Sequence, residues 1–404
     1  MKILHIISFF FPEFSGTSTR LYNLVSRLPY EVDIYTSDRT LNGDKIQCKQ
    51  QRYNNIYAKR IDIQKCNPSC FAKYIPYLRG KLRSRCVTNV FTNNIKGKEF
   101  DIVHGHNLPG FNEAARQAAH RLNKPFVYEI HSLPVADFWS QRNLKALILY
   151  FDFKNQENRM LQSSNYIIVQ TEMLKKWLCD FYRIKDEKIM IIPNGVDLHL
   201  FTPHHEHNND ADILRRKFRI PAEGKVVLYA GYLDKVNGIE IIIKLISQIS
   251  DMNKNIYWIF VGNGPKQGQI ISLVKAFPRH VKYVGMVAYE DMPIYYELCD
   301  VFIIPRGSTI SGEFFVPLKL LEAMAMRKII LASDVNAIKG IIRHGDNGFL
   351  FHKNNLEDLK RALFESLANT QNHRIKEAAR TTILQEYNWD SSAKKLKTIY
   401  DKLS

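Results

Sequence analysis

The sequence predicts an α/β protein with two Rossmann-like, doubly wound parallel-sheet domains. Short, continuously apolar runs alternate with helical stretches along all 404 residues. Such runs are typical of strands in a parallel sheet, because helices cover both faces of the sheet. A polar stretch divides this pattern near its middle, and a chain of this length usually folds as more than one domain.

Twelve runs are predicted as strands, six in each half of the chain. Those in the first half are residues 2–7, 31–35, 100–104, 126–130, 166–169 and 189–192. Those in the second half are residues 225–229, 257–261, 281–284, 301–304, 329–332 and 349–351. The segments between them are long enough for helices, so each half shows the alternation of βαβ units.

The polar stretch at residues 201–212 is predicted to be a linker. The first domain then comprises residues 1–200 and the second comprises residues 213–388. The last segment, 389–404, is predicted to be a helix that completes the first domain. The linker contains three histidines, but a solvated linker accounts for this composition without a metal.

The formal net charge of +17 indicates an anionic partner, such as a phosphorylated substrate, an acidic lipid or a nucleic acid. No helix-turn-helix, zinc-finger or RNP-type motif is present, which argues against nucleic acid. Basic and apolar residues interleave over 73–98 and over 142–159. Two interpretations stay open for them: helices on an anionic membrane surface, or solvated helix faces packed on their own domain.

Three features bear on where the protein works. No apolar run approaches the ~18–20 residues that a bilayer-spanning helix needs. The six cysteines are dispersed, which favours reduced thiols. The opening residues lack a small-residue cleavage site, so they are interpreted as a strand rather than a signal peptide. We therefore expect a cytoplasmic protein, with peripheral attachment to the inner face of the cell membrane left open.

The clearest candidate site lies in residues 305–326. Pro317 is predicted to open a helix, and the free N–H groups at such a helix start suit a phosphate. Lys319 and Glu322 are three residues apart and share a helix face. One can meet a phosphate while the other accepts hydroxyl protons. An anion next to a polyol is the chemistry of a nucleotide sugar, and Arg306 in the preceding loop adds positive charge.

Polar and glycine-containing turns follow the other predicted strands as well. They are residues 12–19, 104–107, 129–132, 193–197, 230–235 and 262–265. One such turn means little, since ordinary βα turns also use glycine. Ligands of doubly wound sheets, however, bind outside the carboxyl ends of the strands, so the shared placement of these turns indicates a binding edge.

In this order the motifs resemble those of the retaining glycosyltransferases of family 4, which have the GT-B fold. The matching segments include PEFSGTSTRLYNL, DIVHGHN, YEIHSLP, IIPNGVDLHLF, VLYAGYL, IFVGNGP, PLKLLEAMAM and HGDNGFLF. The PLKLLEAMAM variant is similar to a subgroup that acts in exopolysaccharide assembly. The resemblance implies two domains that face each other across a cleft, the second binding a nucleoside-diphosphate sugar and the first presenting the acceptor.

The resemblance also implies roles for individual residues. Glu322 would bind the ribose hydroxyls, and Lys319 and Arg306 would neutralise the pyrophosphate. The other donor-binding positions would be Gly16, Gly231, Lys235, Met286, Val287 and Leu320. The catalytic pair would be His131, near the reacting carbon, and Glu313, near the sugar. Thr17 and His106 would lie on the acceptor side.

The chain departs from the family pattern at two places. Members commonly carry GRLxxxKG after the first strand of the second domain, where this chain reads GYLDKVNG. Tyr232 and Asn237 therefore stand in place of two cations. Lys235 could substitute for them, or Arg306 and Lys319 could carry the phosphates alone. The usual pair of glutamates is eight positions apart, whereas Glu313 and Glu322 are nine apart.

These features lead to the hypothesis of a retaining hexosyltransferase that acts on a lipid-linked or polysaccharide-precursor acceptor. We expect neither a cofactor nor a metal, because no Asp-x-Asp arrangement lies near the turns. The family implies a front-face route, in which the departing phosphate helps to deprotonate the acceptor. Two alternatives stay open: a nucleotide-sugar 2-epimerase of the same fold, and an inactive sugar-binding scaffold of a polysaccharide assembly complex.

Overall fold

The computed structural model divides the chain into two compact α/β units. The first comprises Met1–Asn194 and Trp389–Ser404, and the second comprises Gly195–Asn388. The residues that the structure describes are 1–11, 15–40, 44–66, 76–107, 111–133, 144–203, 205–249, 255–368 and 372–404. The predicted fold class is confirmed, because each unit has its own sheet, parallel throughout in the second unit and at all but one strand pair in the first.

The first unit contains an eight-stranded sheet in the order β3-β4-β2-β1-β5-β6-β7-β8. Its strands are β1 Lys2–Ile6, β2 Glu31–Ser37, β3 Gln50–Tyr53, β4 Ile56–Ile61, β5 Ile102–His106, β6 Phe126–Glu129, β7 Tyr166–Val169 and β8 Ile189–Ile191. Only β3 and β4 pair in antiparallel fashion. The carboxyl ends of β1, β5 and β6 therefore meet at one edge of the sheet.

The second unit contains a six-stranded sheet in the order β11-β10-β9-β12-β13-β14, with every pair parallel. Its strands are β9 Lys225–Ala230, β10 Ile256–Val261, β11 Val281–Gly285, β12 Val301–Ile304, β13 Ile329–Ser333 and β14 Phe349–Phe351. Alternate side chains of β9 enter two different hydrophobic clusters, Leu228 one and Tyr229 the other. Burial on both faces is the reason why these strands read as unbroken apolar runs.

The α-helices of the first unit, in chain order, are α1 Gly16–Val25, α2 Pro76–Asn94, α3 Asn112–Leu122, α4 Leu144–Ser163 and α5 Glu172–Tyr182. Those of the second unit are α6 His205–Lys217, α7 Ile239–Ile249, α8 Gln267–Ala276, α9 Met292–Leu298, α10 Ile310–Phe314, α11 Leu318–Ala325, α12 Asn336–Lys339, α13 Leu356–Ala368 and α14 Asn372–Glu386. The last helix, α15 Trp389–Asp401, returns to the first unit. Among the described residues, none of these helices combines the length and hydropathy needed to span a bilayer.

All twelve predicted strands are present, but β3 and β4 were missed. They form a hairpin whose turn contains Asn54, with a positive φ of 50°. Asparagine tolerates this conformation better than most residues. The Asn-Asn pair between two short runs was the available signal, and the many polar residues of β3 concealed it.

The predicted linker at residues 201–212 was wrong in one respect, because α6 begins within it at His205. Ala211, Leu214 and Phe218 lie at helical spacing and pack into the core of the second unit. Composition alone suggested a loop. Ala211 and Leu214 form the i, i+3 apolar stripe of this helix, and Phe218 directly follows its last residue, Lys217.

The prediction that all six cysteines are reduced was also wrong. Cys66 and Cys86 form a disulfide, with their Cα atoms 5.3 Å apart. Cys66 ends a short 3₁₀-helix that packs against α2, which carries Cys86. Their separation of 20 residues gave no sign of this proximity. Cys48, Cys179 and Cys299 are free thiols, and Cys70 lies outside the described residues.

Gly262, directly after β10, provides a test of the turn that borders the candidate site. Its φ is +122°, and an added Cβ would lie 2.0 Å from the carbonyl oxygen of Gly231. We expect Gly262→Ala to destabilise the protein by more than about 1 kcal/mol, because both the backbone angle and the space are unsuitable. Gly268→Ala in α8 is the control, since that site is open and helical. Equal melting temperatures for the two variants would contradict this account.

Candidate functional site

Helix α11 places the predicted site of the second unit at the carboxyl end of its sheet. The helix follows the loop after β12, and Pro317 is its N-cap, one residue earlier than a first helical residue would be. Pro317 makes no side-chain hydrogen bond to the helix start. The first-turn amides therefore have no side-chain cap, and together with the helix dipole they suit an anion.

Glu322 is buried and both of its carboxylate oxygens are held. The hydroxyl of Tyr289 donates to Oε1 at 3.0 Å, and the hydroxyl of Tyr296 donates to Oε2 at 2.9 Å. Burial raises the pKa of Glu322 to about 7, although the two hydroxyls and Lys319 act in the opposite direction. The carboxylate thus has a fixed orientation and remaining lone pairs that could accept further hydrogen bonds.

Lys319 extends over the aromatic ring of Tyr229, with its Nζ atom 4.8 Å from the ring centroid. Burial, together with the nearby charge of Arg306, lowers the pKa of Lys319 to about 7. Asp234 and Glu322 oppose this change. The amine is therefore held where its positive charge is poorly solvated, and an added anion would stabilise the charged form.

Arg306 is the second cation of this site. Its Nη1 donates to the carbonyl of Phe315 at 2.5 Å. Its Nε is buried and has no hydrogen-bond partner among the described residues. Burial lowers the pKa of the guanidinium. A buried donor without a partner is costly to the protein alone, and a ligand oxygen would satisfy it.

Gly231 explains how Lys319 reaches this position. The residue follows β9 with a φ of +135°, and an added Cβ would lie 2.7 Å from the Nζ of Lys319. A side chain here would displace the amine from its place over Tyr229. Gly231 is thus needed for the close approach of Lys319.

The two departures from the family pattern leave no cation at their positions. Tyr232 is 53% exposed. The side-chain amide of Asn237 donates to Oδ1 of Asp234 at 2.8 Å. Lys235 is exposed on the same turn. The positive charges beside the start of α11 are therefore those of Lys319 and Arg306 rather than of the two family positions.

Glu313, predicted as catalytic, is already engaged within the second unit. Its carboxylate accepts from Nζ of Lys353 at 2.5 Å and from the backbone N–H of Asn336 at 2.8 Å. Ser308 contributes a longer contact of 3.4 Å. The hydrogen bond from Asn336, the first residue of α12, joins the short helix α10, which carries Glu313, to α12.

The remaining donor-binding predictions fall into different environments. Met286 is 65% exposed, and Val287 is half-buried against the core. Leu320 is fully buried in the core, so its side chain cannot touch a ligand. Its backbone N–H donates to the carbonyl of Pro317 at 3.1 Å. A role for Leu320 is therefore restricted to shaping the helix start.

In the first unit, histidines from neighbouring strands form a buried cluster. His5 lies on β1 and both His104 and His106 lie on β5, while His131 follows β6. The Nδ1 of His106 lies 2.8 Å from the Nε2 of His131, which brings these two predicted residues together. Burial lowers the pKa of His131 to about 4, so the ring is neutral at ordinary pH.

The buried ion pair between Arg20 and Glu129 was not predicted. The Nε of Arg20 donates to Oε1 of Glu129 at 2.6 Å, and both side chains are buried. The guanidinium also donates to the carbonyls of Ile192 and Pro193 and to Oδ1 of Asn194. The pKa of Glu129 is held well below its usual range, because Arg20 and the nearby histidines outweigh the effect of burial. A charged residue at the end of an apolar strand was the signal that the sequence offered.

Gly16 and Thr17 begin helix α1, in the same unit. Gly16 is exposed and Thr17 is half-buried. Ser15 caps the helix, with its hydroxyl accepting from the N–H of Ser18. No described atom lies within 4 Å of a Cβ built on Gly16. Among the described residues, therefore, none fills the space beside Gly16.

Family models match both halves of the chain. Residues 14–200 match the family described as Glycosyltransferase Family 4, and residues 210–382 match the family described as Glycosyl transferases group 1. The lipopolysaccharide 1,2-N-acetylglucosaminetransferase of Salmonella typhimurium is 25% identical over 65% of this chain and 70% of its own length.

Two solved structures show the same fold. Sucrose-phosphate synthase of Thermosynechococcus elongatus superposes with a TM-score of 0.78 at 20% identity, over 100% of this chain and 98% of its own. HepE of Anabaena in complex with UDP-glucose gives a TM-score of 0.74 at 18% identity, over 100% of both chains.

The Arg20–Glu129 pair makes a testable contribution to stability. Arg20→Met leaves a buried carboxylate without its partner, which should lower the free energy of unfolding by about 3–5 kcal/mol. The double variant Arg20→Met/Glu129→Gln should recover part of this loss, because no buried charge is then left alone. Chemical denaturation followed by tryptophan fluorescence measures both.

Arg27→Met is the matched control, since Arg27 pairs with the exposed Asp390 at 3.0 Å. Exposed ion pairs contribute about 0–1 kcal/mol. If Arg20→Met cost no more than this control, the buried pair would not have the importance assigned to it.

Proposed function

Because the chain belongs to the family 4 glycosyltransferases and has their GT-B fold, we propose that it is a retaining enzyme with a lipid-linked or polysaccharide-precursor acceptor. Its donor is a nucleotide sugar. The observation that carries this proposal is the arrangement at helix α11. There, uncapped amides, two poorly solvated cations and an oriented carboxylate lie together at the end of one sheet.

The two cations suit the leaving group of the reaction. When the bond between sugar and phosphate breaks, negative charge grows on the departing diphosphate. Lys319 and the unpartnered Nε of Arg306 would stabilise that charge from fixed positions. Preorganised donors of this kind need no reorganisation during reaction, and they can supply the stabilisation without a metal.

Glu322 suits the nucleoside end of the donor. Its oxygens are held by Tyr289 and Tyr296 rather than by cations, so they retain lone pairs for ribose hydroxyls. The ionised carboxylate accepts through both oxygens, whereas the protonated acid donates through one of them. The raised pKa of about 7 means that hydroxyl donors from a ligand would favour the charged form.

The state of Glu313 bears on the route by which retention would occur. Its carboxylate is paired with Lys353 and with the N–H of Asn336, which disfavours its use as a free nucleophile. We therefore propose the front-face route, in which a departing phosphate oxygen takes the acceptor proton. His131 would lie near the reacting carbon as a neutral ring.

The acceptor class is proposed from charge and from relatives. The net charge of +17 favours an anionic surface or an anionic glycan precursor. The relative from Salmonella typhimurium acts, by its name, on lipopolysaccharide. Both point to an acceptor attached to, or destined for, a cell envelope, with the protein peripheral at the inner face of the membrane.

A transfer assay with a panel of nucleotide sugars and membrane-extracted acceptors tests the proposal. We expect α-configured donors to give α-linked products by NMR, with activity unchanged by EDTA. Lys319→Met and Glu322→Gln should lower turnover by about 10²–10³-fold, because charge stabilisation and donor binding are lost. Inverted products would contradict retention, and loss of activity in EDTA would contradict metal independence.

The matched controls are Lys360→Met and Glu357→Gln, which repeat the same changes at the same spacing on helix α13. They should keep full activity. Formation of an isomeric nucleotide sugar without acceptor would favour the epimerase. Absence of any nucleoside-diphosphate binding by calorimetry would favour the scaffold.

The lowered pKa of Lys319 gives a second prediction, on proton uptake. At about one pH unit above a pKa of about 7, roughly nine-tenths of Lys319 is neutral. A bound diphosphate favours the charged amine, so UDP, ADP or GDP binding near pH ~8 should draw in a proton. Calorimetry in buffers of different ionisation enthalpy measures this uptake.

Lys319→Arg is the informative variant, because a guanidinium stays charged at this pH. It should bind the nucleotide with the uptake abolished. Identical uptake in the wild type and in Lys319→Arg would show that the proton goes elsewhere.

A further inference from the structure

Four histidine rings and one tyrosine hydroxyl form a continuous chain of contacts in the first unit. His131 Nε2 lies 2.8 Å from His106 Nδ1, and His106 Nε2 lies 3.1 Å from His5 Nδ1. The hydroxyl of Tyr400, on helix α15, lies 3.2 Å from His5 Nε2 and 2.6 Å from His104 Nδ1. All four are hydrogen-bond distances. Both ring nitrogens of His5 and of His106 are thereby used.

Glu129 determines which nitrogen of each histidine ring carries the hydrogen. The Nε2 of His104 lies 3.4 Å from Glu129 Oε2, an electrostatic contact longer than a well-formed hydrogen bond. The other carboxylate oxygen is held by Arg20. Oε2 of Glu129 also lies 3.5 Å from His106 Nδ1 and 3.7 Å from His131 Nε2. With the hydrogen on His104 Nε2 and the order that follows from it, two N–H groups and one lone pair face this ionised oxygen. The opposite order would turn one N–H and two lone pairs towards it, so we assign the hydrogen to His104 Nε2. With one N–H per neutral ring, His104 Nδ1 must accept from the hydroxyl of Tyr400.

The remaining tautomers follow link by link. The oxygen of Tyr400 accepts from His5 Nε2–H, and His5 Nδ1 accepts from His106 Nε2–H. His106 Nδ1 then accepts from His131 Nε2–H. Each neutral ring thus carries its hydrogen on Nε2. The Nδ1 of His131, which hydrogen-bonds to no described residue, is left with a free lone pair.

We propose that this chain is a proton relay, in which Tyr400 couples the Nδ1 of His131 to a buried proton-accepting site formed by His104 and Glu129. Tyr400 is a positioning residue here, since it acts through the histidines. The chain has two orientations that differ by one proton. In one, His131 Nδ1 is bare; in the other, it carries a hydrogen and the positive charge lies at His104.

The transfer balances at every link. A proton binds to His131 Nδ1, and the proton on His131 Nε2 passes to His106 Nδ1. The proton on His106 Nε2 passes to His5 Nδ1, and that on His5 Nε2 passes to the oxygen of Tyr400. The original hydroxyl proton of Tyr400 passes to His104 Nδ1. Each intermediate ring ends neutral, and the new cation lies beside the carboxylate of Glu129.

Electrostatics favour this destination over the rings between. Burial holds the pKa of His131 at about 4 and the pKa values of His5 and His106 well below 6.5, so these rings disfavour a resident charge. Glu129 carries the only described carboxylate in contact with the cluster, and His104 is its nearest ring. Arg20 weakens the attraction of the His104–Glu129 site for a proton, because it already neutralises part of the charge on Glu129.

A bound metal is the competing use of the same atoms. One ligand atom each from His5, His104 and His106 lie within 4.8 Å of one another, as do those of His106, Glu129 and His131. A metal would replace hydrogens on the ring nitrogens and leave no continuous chain. The experiment therefore has to distinguish N–H groups from metal bonds.

Nitrogen-15 NMR of histidine-labelled protein tests the relay without donor or acceptor. Protonated and unprotonated ring nitrogens have separate shift ranges, so each tautomer can be assigned with single His→Gln variants. We expect His5, His104, His106 and His131 all to carry hydrogen on Nε2 near pH ~7. Elemental analysis of the same sample should find no stoichiometric metal.

Tyr400→Phe removes the central link. The resonances of His5, His106 and His131 should then shift toward a mixture of tautomers, because nothing fixes their direction. Tyr182→Phe is the matched control, since it deletes another buried hydroxyl of this unit, the one that donates to Glu157 at 2.6 Å. It should leave all four rings unchanged.

The catalytic use of the relay rests on the proposed function, because only in a transferase would the departing phosphate oxygen take the acceptor proton and then have it to pass to His131. In assays, Tyr400→Phe should lower kcat while KM for the donor stays constant. Wild-type His131 with its hydrogen on Nδ1, tautomers insensitive to Tyr400→Phe, or a bound metal would each overturn the relay. If Tyr400→Phe fails to fold, the wild-type tautomers alone decide. Absence of transferase activity with intact tautomers would overturn the proposed function and spare the relay.

Discussion

The constraint on which the donor site depends is the cost of holding Lys319, Arg306 and Glu322 away from water at the start of α11. Burial moves the pKa values of Lys319 and Glu322 toward each other, both to about 7. Arg306 keeps an N–H without a partner among the described residues. Structural charges are usually paired or satisfied. Buried polar groups that lack partners at the carboxyl end of a sheet are characteristic of a ligand-binding site. The cost of burying these groups, independent of any relative, supports the proposal that a diphosphate and a ribose bind here.

In the first unit, by contrast, the buried charges are paired with each other. Arg20 and Glu129 are as deeply buried, but they satisfy each other, and the guanidinium also binds three oxygens from residues 192–194. Burial keeps the pKa values of His5, His106 and His131 low, so these three rings stay neutral, and they lie at hydrogen-bond distance from one another in sequence along the chain of contacts. The cation of this cluster, Arg20, is thus already paired. One unit therefore offers fixed charge to a ligand, whereas the other offers oriented, neutral hydrogen-bonding groups that suit the transfer of a proton.

The sequence predicts those features that depend on residues close to one another in the chain. Every predicted strand is found, because burial on both faces produces an unbroken apolar run. Lys319 and Glu322 could be paired from their spacing on one helix. The partners of Glu322 could not, since Tyr289 and Tyr296 lie 33 and 26 residues away and are brought there by packing. Arg20 and Glu129 are separated by 109 residues. Tyr400 contacts the histidines only because the last helix returns to the first unit. The sequence predicted that return, but not the contact of Tyr400 with His5 and His104. Leu320 is the opposite case. Its position in the motif predicted a contact with the donor, but its side chain is buried in the core.

The most direct measurement is a crystal structure of the protein soaked with UDP, and then with ADP and GDP. The account predicts phosphate oxygens at the first-turn amides of α11, within hydrogen-bond distance of Lys319 Nζ and Arg306 Nε, and ribose hydroxyls on the carboxylate of Glu322. A nucleotide bound at another place on the second unit, with Arg306 Nε still unpartnered and Glu322 contacting only its two tyrosines, would contradict it.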